Sequence, residues 1–140
     1  MGNYITQTDI LDRVPEQKLI GLTDDDNNGV INDTVVNNNI IDTESLIDSY
    51  LKTKYTVPLS PVPAILKKIA KDISEHFLYQ RRLGSTESIM ASYNNAIKFL
   101  EKVAAGTISL GVDTPAPDSG VGINYSSSDR TFTRDTLKNF

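Results

Sequence analysis

An acidic and amide-rich run near the N-terminus, DDDNNGVIND, has the spacing of a calcium-binding loop. Asp24, Asp26 and Asn28 occupy the first, third and fifth positions of an EF-hand-type loop, and Gly29 occupies the sixth, where such loops turn sharply. Oxygen ligands at alternate positions around a tight turn suit a hard cation, because every second side chain projects inward. The Val30 carbonyl is the expected main-chain ligand.

The match to a calcium loop fails at its last position. That position, where EF-hands place a bidentate Glu, is Val35, which leaves Asn32 and Asp33 as weaker oxygen ligands. Two interpretations therefore remain open. The run forms either a weak Ca²⁺ site or an Asx-rich turn in which Asp33 caps the following helix. No other cofactor is expected, and neither interpretation makes the ion a requirement.

The other residues whose side chains could act in catalysis form no recognisable catalytic motif. His76 is the only histidine and the chain has no cysteine, which excludes a thiol nucleophile, a thiolate metal site and a disulfide. The sequence also lacks a Gly-rich phosphate loop, a nucleophile elbow and an HExxH motif. His76 is expected at the edge of the core with a hydrogen bond. We therefore expect no enzymatic activity.

Periodic apolar residues predict an all-α fold, a small bundle of four to five helices. Helix starts are indicated by Ser or Thr caps, with Ser60 a candidate, and by prolines, while Gly106 indicates the end of the last helix. The expected helices cover residues 9–14, 16–22, 34–54, 61 or 63 to 82, and 85 or 86 to 105.

The apolar stripes also predict which side chains stay in water. The stripe of the third helix includes Ile47 and leaves Glu44 mostly outside. The stripe of the fourth helix includes Phe77 and leaves Asp72 and Lys71 outside. The fourth helix is therefore expected to be a core helix with a basic outer face.

Two changes in composition divide the chain. The stretch TVPLSPVP is predicted to form a fixed corner, because a residue that precedes proline is driven toward extended geometry. Beyond residue 110 the sequence becomes rich in Gly, Pro, Ser and Asp, which bury too little surface to offset the cost of ordering. We therefore expect a helical domain at residues 1–110 and a flexible tail or docking arm at residues 111–140.

The net charge of −4 is distributed unevenly. Residues 1–50 carry ten acids and two bases, whereas residues 51–140 carry twelve bases and eight acids. Oppositely charged ends suit head-to-tail packing of copies, and ordinary surface charge on helices explains the pattern equally well. No apolar run reaches the ~18 residues of a membrane span and no signal pattern is present, so we expect a soluble protein without a membrane partner.

The corner and its flanking helices resemble a known family. The run ESLIDSYLKTKYTVPL, followed by a Pro-led helix ending in YQRR, resembles Mu-like phage and prophage proteins encoded with the capsid and neck genes. These small helical proteins are similar in outline to the head–tail connector (head-completion) proteins, which form a ring under the portal of tailed phages. The matching residues are Glu44, Ile47, Asp48, Tyr50, Leu51, Lys54 (Arg in the family), Tyr55, Pro58, Leu59, Tyr79, Arg81, Arg82, Gly106 and the terminal FTRDTLKNF.

The resemblance implies a structural protein that joins phage head and tail through protein–protein assembly. Its implied partners are further copies of itself, in a ring or another homo-oligomer, and the phage portal and tail-joining proteins. Its implied location is the cytoplasm of the bacterial host and then the neck of the virion. The implied interface residues are Tyr55, Pro58, Leu59, Arg81, Arg82, Phe132, Arg134, Leu137 and Phe140.

Two alternative functions compete with the connector. A Ca²⁺-responsive binding module depends on the acidic run alone and predicts a large conformational change when metal is added. A nucleic-acid binder predicts an affinity that falls steeply with salt, and the acidic N-terminal half argues against it, as it does against sequence-specific DNA recognition. Its candidate residues are Lys67, Lys68, Lys71, Arg81 and Arg82.

Overall fold

The structure of the protein, a computed structural model, describes residues 2–112. This part of the chain contains five α-helices and no strand, which confirms the predicted all-α fold. The predicted arm at residues 111–140 lies almost entirely outside the described residues. The helices are α1 (Gln7–Leu11), α2 (Glu16–Thr23), α3 (Asp33–Leu51), α4 (Ala64–Arg82) and α5 (Glu87–Ala104).

The helix ends follow local capping chemistry. Thr6 and Asp9 form a capping box at α1, so this helix begins two residues earlier than the sequence predicts. Thr86 caps α5 by accepting a hydrogen bond from the N–H of Ile89 at 3.3 Å. Pro63 precedes α4 without a side-chain cap, so the predicted cap at Ser60 is wrong.

The fourth helix is the centre of the fold, because α4 contacts each of the other four helices. The α3–α4 pair is antiparallel, with Asn39 against Ser74, and α5 returns antiparallel to α4, with Tyr93 against His76. The ends of α3 and α5 lie together, where Thr53 Oγ1 is 3.5 Å from the carbonyl oxygen of Ala104. The helices α3, α4 and α5 therefore run up, down and up.

The core lies where these three helices meet the N-terminal segment. Most stripe residues are buried, but in α4 Leu78 is fully buried and Phe77 is only partly buried. The prediction that Asp72 stays in water is wrong, because its exposure is 2%. Glu44 is also buried, at 8% exposure. The largest fully buried side chains are Tyr4, Ile5, Ile10, Val14, Leu19, Leu22, Ile47, Leu51, Leu66, Ile73, Leu78 and Leu100.

Within residues 2–112, no helix has the length and apolar character needed to cross a membrane.

Candidate interaction surfaces

The carboxylate of Asp24 closes its own loop. One oxygen accepts the N–H of Asn28 at 3.0 Å and the other accepts the N–H of Gly29 at 2.6 Å. These backbone donors, Asn28 first, lower the pKa of Asp24. Asn27 and Gly29 adopt positive φ angles of 56° and 74°, which the turn requires. This geometry is that of an Asx-type turn, in which the carboxylate faces main-chain amides.

The other predicted metal ligands of this loop either form hydrogen bonds within the chain or are exposed. Asn32, not Asp33, caps α3 by accepting from the N–H groups of Thr34 and Val35 at 3.1 and 3.3 Å, and Asp33 accepts from the Gln7 amide at 3.2 Å. Asp26, Asn28 and Val30 are exposed. Among residues 2–112, no group of three or more His, Cys, Asp or Glu side chains is placed to hold a metal ion.

Two arginines hold this loop against α4. Arg81 Nη1 donates to the Leu22 carbonyl at 3.1 Å and to Asp25 at 3.0 Å, and its Nη2 forms a further ion pair with Asp25. Arg82 donates to the Gly21 carbonyl at 3.0 Å and to Asp25 at 3.1 Å. Hydrogen bonding to Arg81 is the main cause that lowers the pKa of Asp25. We call Asp25, Arg81 and Arg82 the arginine clamp.

Two large apolar side chains that lie near the clamp residues in sequence are exposed. Leu83, which follows Arg82 directly, is 64% exposed, and Val30, in the clamped loop, is 59% exposed. Because Asp25 ties the loop to the end of α4, these side chains belong to one end of the molecule. We call this surface, formed by the arginine clamp with Val30 and Leu83, the clamp end. Apolar groups among oriented arginines are typical of the centre of protein–protein interfaces.

The corner residues divide between the core and the surface. Leu59 is 2% exposed, and its N–H donates to the Tyr4 hydroxyl at 3.2 Å, so its predicted role as an interface residue does not match its position in the core. Tyr55 is partly buried, and its hydroxyl accepts the N–H of Leu110 at 3.0 Å. Pro58 is exposed, and the Val57–Pro58 and Ser60–Pro61 peptide bonds are cis.

A buried carboxylate that the sequence analysis missed anchors the N-terminal segment. Glu44 Oε1 accepts the N–H of Tyr4 at 2.6 Å and that of Ile5 at 3.4 Å. Its other oxygen lies 3.4 Å from the Asn3 amide nitrogen. The Tyr4 hydroxyl then donates to Asp48 at 2.5 Å. The segment before α1 is therefore held on α3 by main-chain N–H groups that donate to a buried carboxylate.

A second missed carboxylate fixes α1 and its following turn onto α4. The buried Asp72 forms an ion pair with Arg13 and another with Lys68, the latter at 2.7 Å. Arg13 also pairs with Glu75 at 3.3 Å. Lys71, on the same helix, lies 3.6 Å from Asp9. Much of the basic face of α4 is thus neutralised by the chain itself.

His76 has a structural environment, as the sequence predicts. Its ring stacks on Tyr93 with centroids 4.1 Å apart, and its Nδ1 is 2.7 Å from the Ser85 hydroxyl oxygen. Burial lowers the pKa of His76, because desolvation disfavours the charged imidazolium. The predicted interface residues Phe132, Arg134, Leu137 and Phe140 lie outside the described residues.

Comparison with known proteins assigns the family. Residues 4–124 match the profile of the family described as "Bacteriophage Mu, Gp36". The chain is similar to Mu-like prophage FluMu protein gp36 of Haemophilus influenzae, with 39% identity over 101 residues that cover 71% of this chain and 70% of that protein. It is also similar to Gene product J of Escherichia phage Mu, with 30% identity over 121 residues that cover 86% of this chain and 84% of that protein. These matches span most of the chain, which therefore belongs to the Mu Gp36 family of phage proteins.

Proposed function

We propose that this protein is a structural component of a Mu-like phage or prophage particle and acts at the head–tail junction. In this role it assembles with further copies of itself and with the portal and tail-joining proteins, and it catalyses no reaction. Membership of a phage protein family is the observation that carries the proposal. Its resemblance in outline to head-completion proteins gives the proposed place in the particle.

The buried polar groups serve the fold of the chain itself. Glu44 accepts main-chain amides, Asp72 neutralises Arg13 and Lys68, and His76 stacks on Tyr93. Each of these groups is committed to a contact that holds two segments together. A catalytic acid or base must be able to reach a proton of the substrate. In the described core, the titratable groups Glu44, Asp72 and His76 are instead engaged in contacts within the chain.

The clamp end offers a surface suited to a protein partner. The arginine clamp fixes the guanidinium groups in place, so less side-chain entropy is lost when a partner binds beside them. Leu83 and Val30 supply apolar area on the same surface. We assign the contact with a neighbouring subunit or with the portal to this end of the bundle.

The two alternative functions have less support from the geometry. Among the described residues, no group of three or more His, Cys, Asp or Glu side chains is placed to hold the predicted Ca²⁺. The basic residues of the nucleic-acid hypothesis are largely paired with acids, Lys71 with Asp9 and the clamp arginines with Asp25. Paired cations release few counterions from DNA, and counterion release drives such binding.

Deletion of the gene from an inducible Mu-like prophage tests the proposal. We expect separate heads and tails by electron microscopy, and joined particles when the gene is supplied in trans. Mass spectrometry of purified wild-type particles should detect the protein. Joined particles in normal yield without the gene, or particles that lack the protein, would contradict a connector role.

A point variant tests the assigned surface separately. Leu83→Asp places a charge on the clamp end, at a side chain that is 64% exposed, so the fold should be unaffected. We expect it to fail in complementation while its thermal midpoint stays that of the wild type. Ile41→Asp is the matched control, because Ile41 is 58% exposed on α3 and belongs to neither the clamp end nor the corner. Equal complementation by both variants would place the contact elsewhere.

A further inference from the structure

We propose that residues 113–129 dock, within the same chain, into the groove between the first half of α4 and the middle of α5. This intramolecular contact does not depend on the proposed head–tail role. It assigns an occupant to an apolar surface that the described residues leave uncovered.

The groove has an apolar floor. Ile65 and Ile69 line it from α4, and Ala96 and Phe99 line it from α5, around a volume of about 190 Å³. Ile65 is 41% exposed, whereas Ile69 and Ala96 are each only 3% exposed and form the bottom. A side chain that entered the groove would therefore bury apolar surface on Ile65 and Phe99, which is favourable.

The rim of the groove is positively charged. The Lys68 side chain borders it from α4 and is 62% exposed. Lys98 and Lys102 are exposed on α5 beyond the residues that line the groove, with the acid Glu101 between them in sequence, and neither lysine has an ion-pair partner among residues 2–112. The acid in the groove, Asp72, is already neutralised by its two ion pairs. A segment of negative charge complements this rim.

The chain leaves the bundle close to the groove. The N–H of Leu110 donates to the Tyr55 hydroxyl at 3.0 Å, which fixes the exit at the end of the bundle where α3 and α5 finish. The groove begins at that end, because α4 starts one residue before Ile65. Val121 lies nine positions after Val112, a stretch of chain that spans up to ~30 Å. The groove extends over about two helical turns, or ~11 Å, which is well within this reach.

The sequence that follows the exit matches the groove in charge and in apolar pattern. Residues 113–129 carry three acids and no base. Val121, Ile123 and Tyr125 alternate with small or polar residues, so an extended peptide presents all three on one side. An apolar groove with lysines nearby is expected to bind an acidic segment whose apolar side chains lie along one side. The family match runs to residue 124 and so includes most of this segment.

Disulfide trapping in the full-length chain tests the contact. The protein has no cysteine, so Ile65→Cys with Ile123→Cys introduces one defined pair. A disulfide forms only when the two Cα atoms approach within about 7 Å. The matched control is Ser49→Cys with Ile123→Cys, because Ser49 is exposed near the same end of the bundle but on α3. We expect the groove pair to form an intrachain disulfide about tenfold faster than the control pair.

The charge of the rim gives a second measurement. Adding Lys98→Glu and Lys102→Glu to the groove pair should slow its oxidation several-fold, and about 1 M NaCl should have the same effect by screening. Circular dichroism of each variant confirms that the helices are intact. Equal oxidation rates for the groove and control pairs would overturn the proposal. A disulfide that joins two chains would overturn it in favour of a second copy as the occupant.

Discussion

Removing the Glu44 carboxylate should detach the N-terminal segment and destabilise the fold. In Glu44→Ala the N–H groups of Tyr4 and Ile5, both buried, lose the oxygen that accepts them at 2.6 and 3.4 Å. A buried donor left unpaired costs about 1–3 kcal/mol, and the longer bond contributes less. We therefore expect the free energy of unfolding to fall by about 2–4 kcal/mol, a large part of the ~5–15 kcal/mol of a typical domain.

Thermal and chemical denaturation of matched variants measures this effect. At roughly 4 °C per kcal/mol for a chain of this size, Glu44→Ala should lower the melting temperature by about 8–16 °C. Glu44→Gln keeps an oxygen where Oε1 stands, so it should lose about 1 kcal/mol or less. Asp42→Ala, on an exposed position of the same helix, is the control and should change stability by no more than about 0.5 kcal/mol.

Two results would refute this reasoning about Glu44. Equal stability of Glu44→Ala and Asp42→Ala would mean that the N-terminal segment contributes no stability through these hydrogen bonds. Equal loss in Glu44→Gln and Glu44→Ala would mean that the negative charge is needed, rather than an oxygen acceptor at the right place. Hydrogen exchange at the amides of Tyr4 and Ile5 distinguishes local detachment from global unfolding.

Four further predictions follow from other contacts. Burial lowers the pKa of His76 below 6.5, so as the pH falls the imidazole is protonated in the unfolded state before it is protonated in the folded state. The free energy of unfolding should therefore fall as the pH drops below about 6.5. Urea titrations should show that His76→Gln reduces this pH dependence. Tyr4→Phe leaves the Leu59 N–H unpaired and should cost about 1–3 kcal/mol in denaturant unfolding. Asp25→Asn should speed hydrogen exchange in residues 24–32 while the thermal midpoint barely changes, because the clamp is exposed. Ca²⁺ should leave the thermal midpoint unchanged, since no group of three or more acidic or His side chains in residues 2–112 is placed to hold it, whereas a saturable rise would support the metal site.

The helices were predictable because their signals are local. Thr86 and Gly106 mark the ends of α5 in the sequence, and the structure uses both, with Gly106 at a φ of +79°. Glu44 had a usable signal too. It follows Ile40 by four residues and precedes Ile47 by three, which places it on the apolar stripe rather than beside it. A charged residue in a stripe predicts a buried acceptor with partners from elsewhere in the chain.

Contacts between residues that are distant in sequence could not be predicted from local sequence patterns. Arg13 and Asp72 are 59 residues apart, and nothing local to either residue predicts the ion pair. The same holds for Asn39 and Ser74, which exchange hydrogen bonds at 3.2 and 2.5 Å across the α3–α4 contact. Leu59 carries no sequence signal for burial beyond being apolar, and its core position depends on the Tyr4 hydroxyl that fixes the corner.

Part of the uneven charge of the sequence is paired within the chain. Ion pairs join the acidic N-terminal segment to α4 at Asp9, Asp12 and Asp25, with Arg13 as the one reversed pair. Most of these pairs are partly exposed, and such pairs contribute little free energy each, so apolar burial holds α1 and α2 in place while the charges select the orientation. Only three of the ten acids of residues 1–50 are paired in this way, so most of the negative charge of the acidic half has no ion pair within residues 2–112. The cations that remain without an ion pair in residues 2–112 include Lys52, Lys54, Lys98 and Lys102, and these lie toward the end of the bundle where the chain exits. The acids without an ion pair in the N-terminal half and the lysines at this end are opposite in charge, as head-to-tail packing of copies requires.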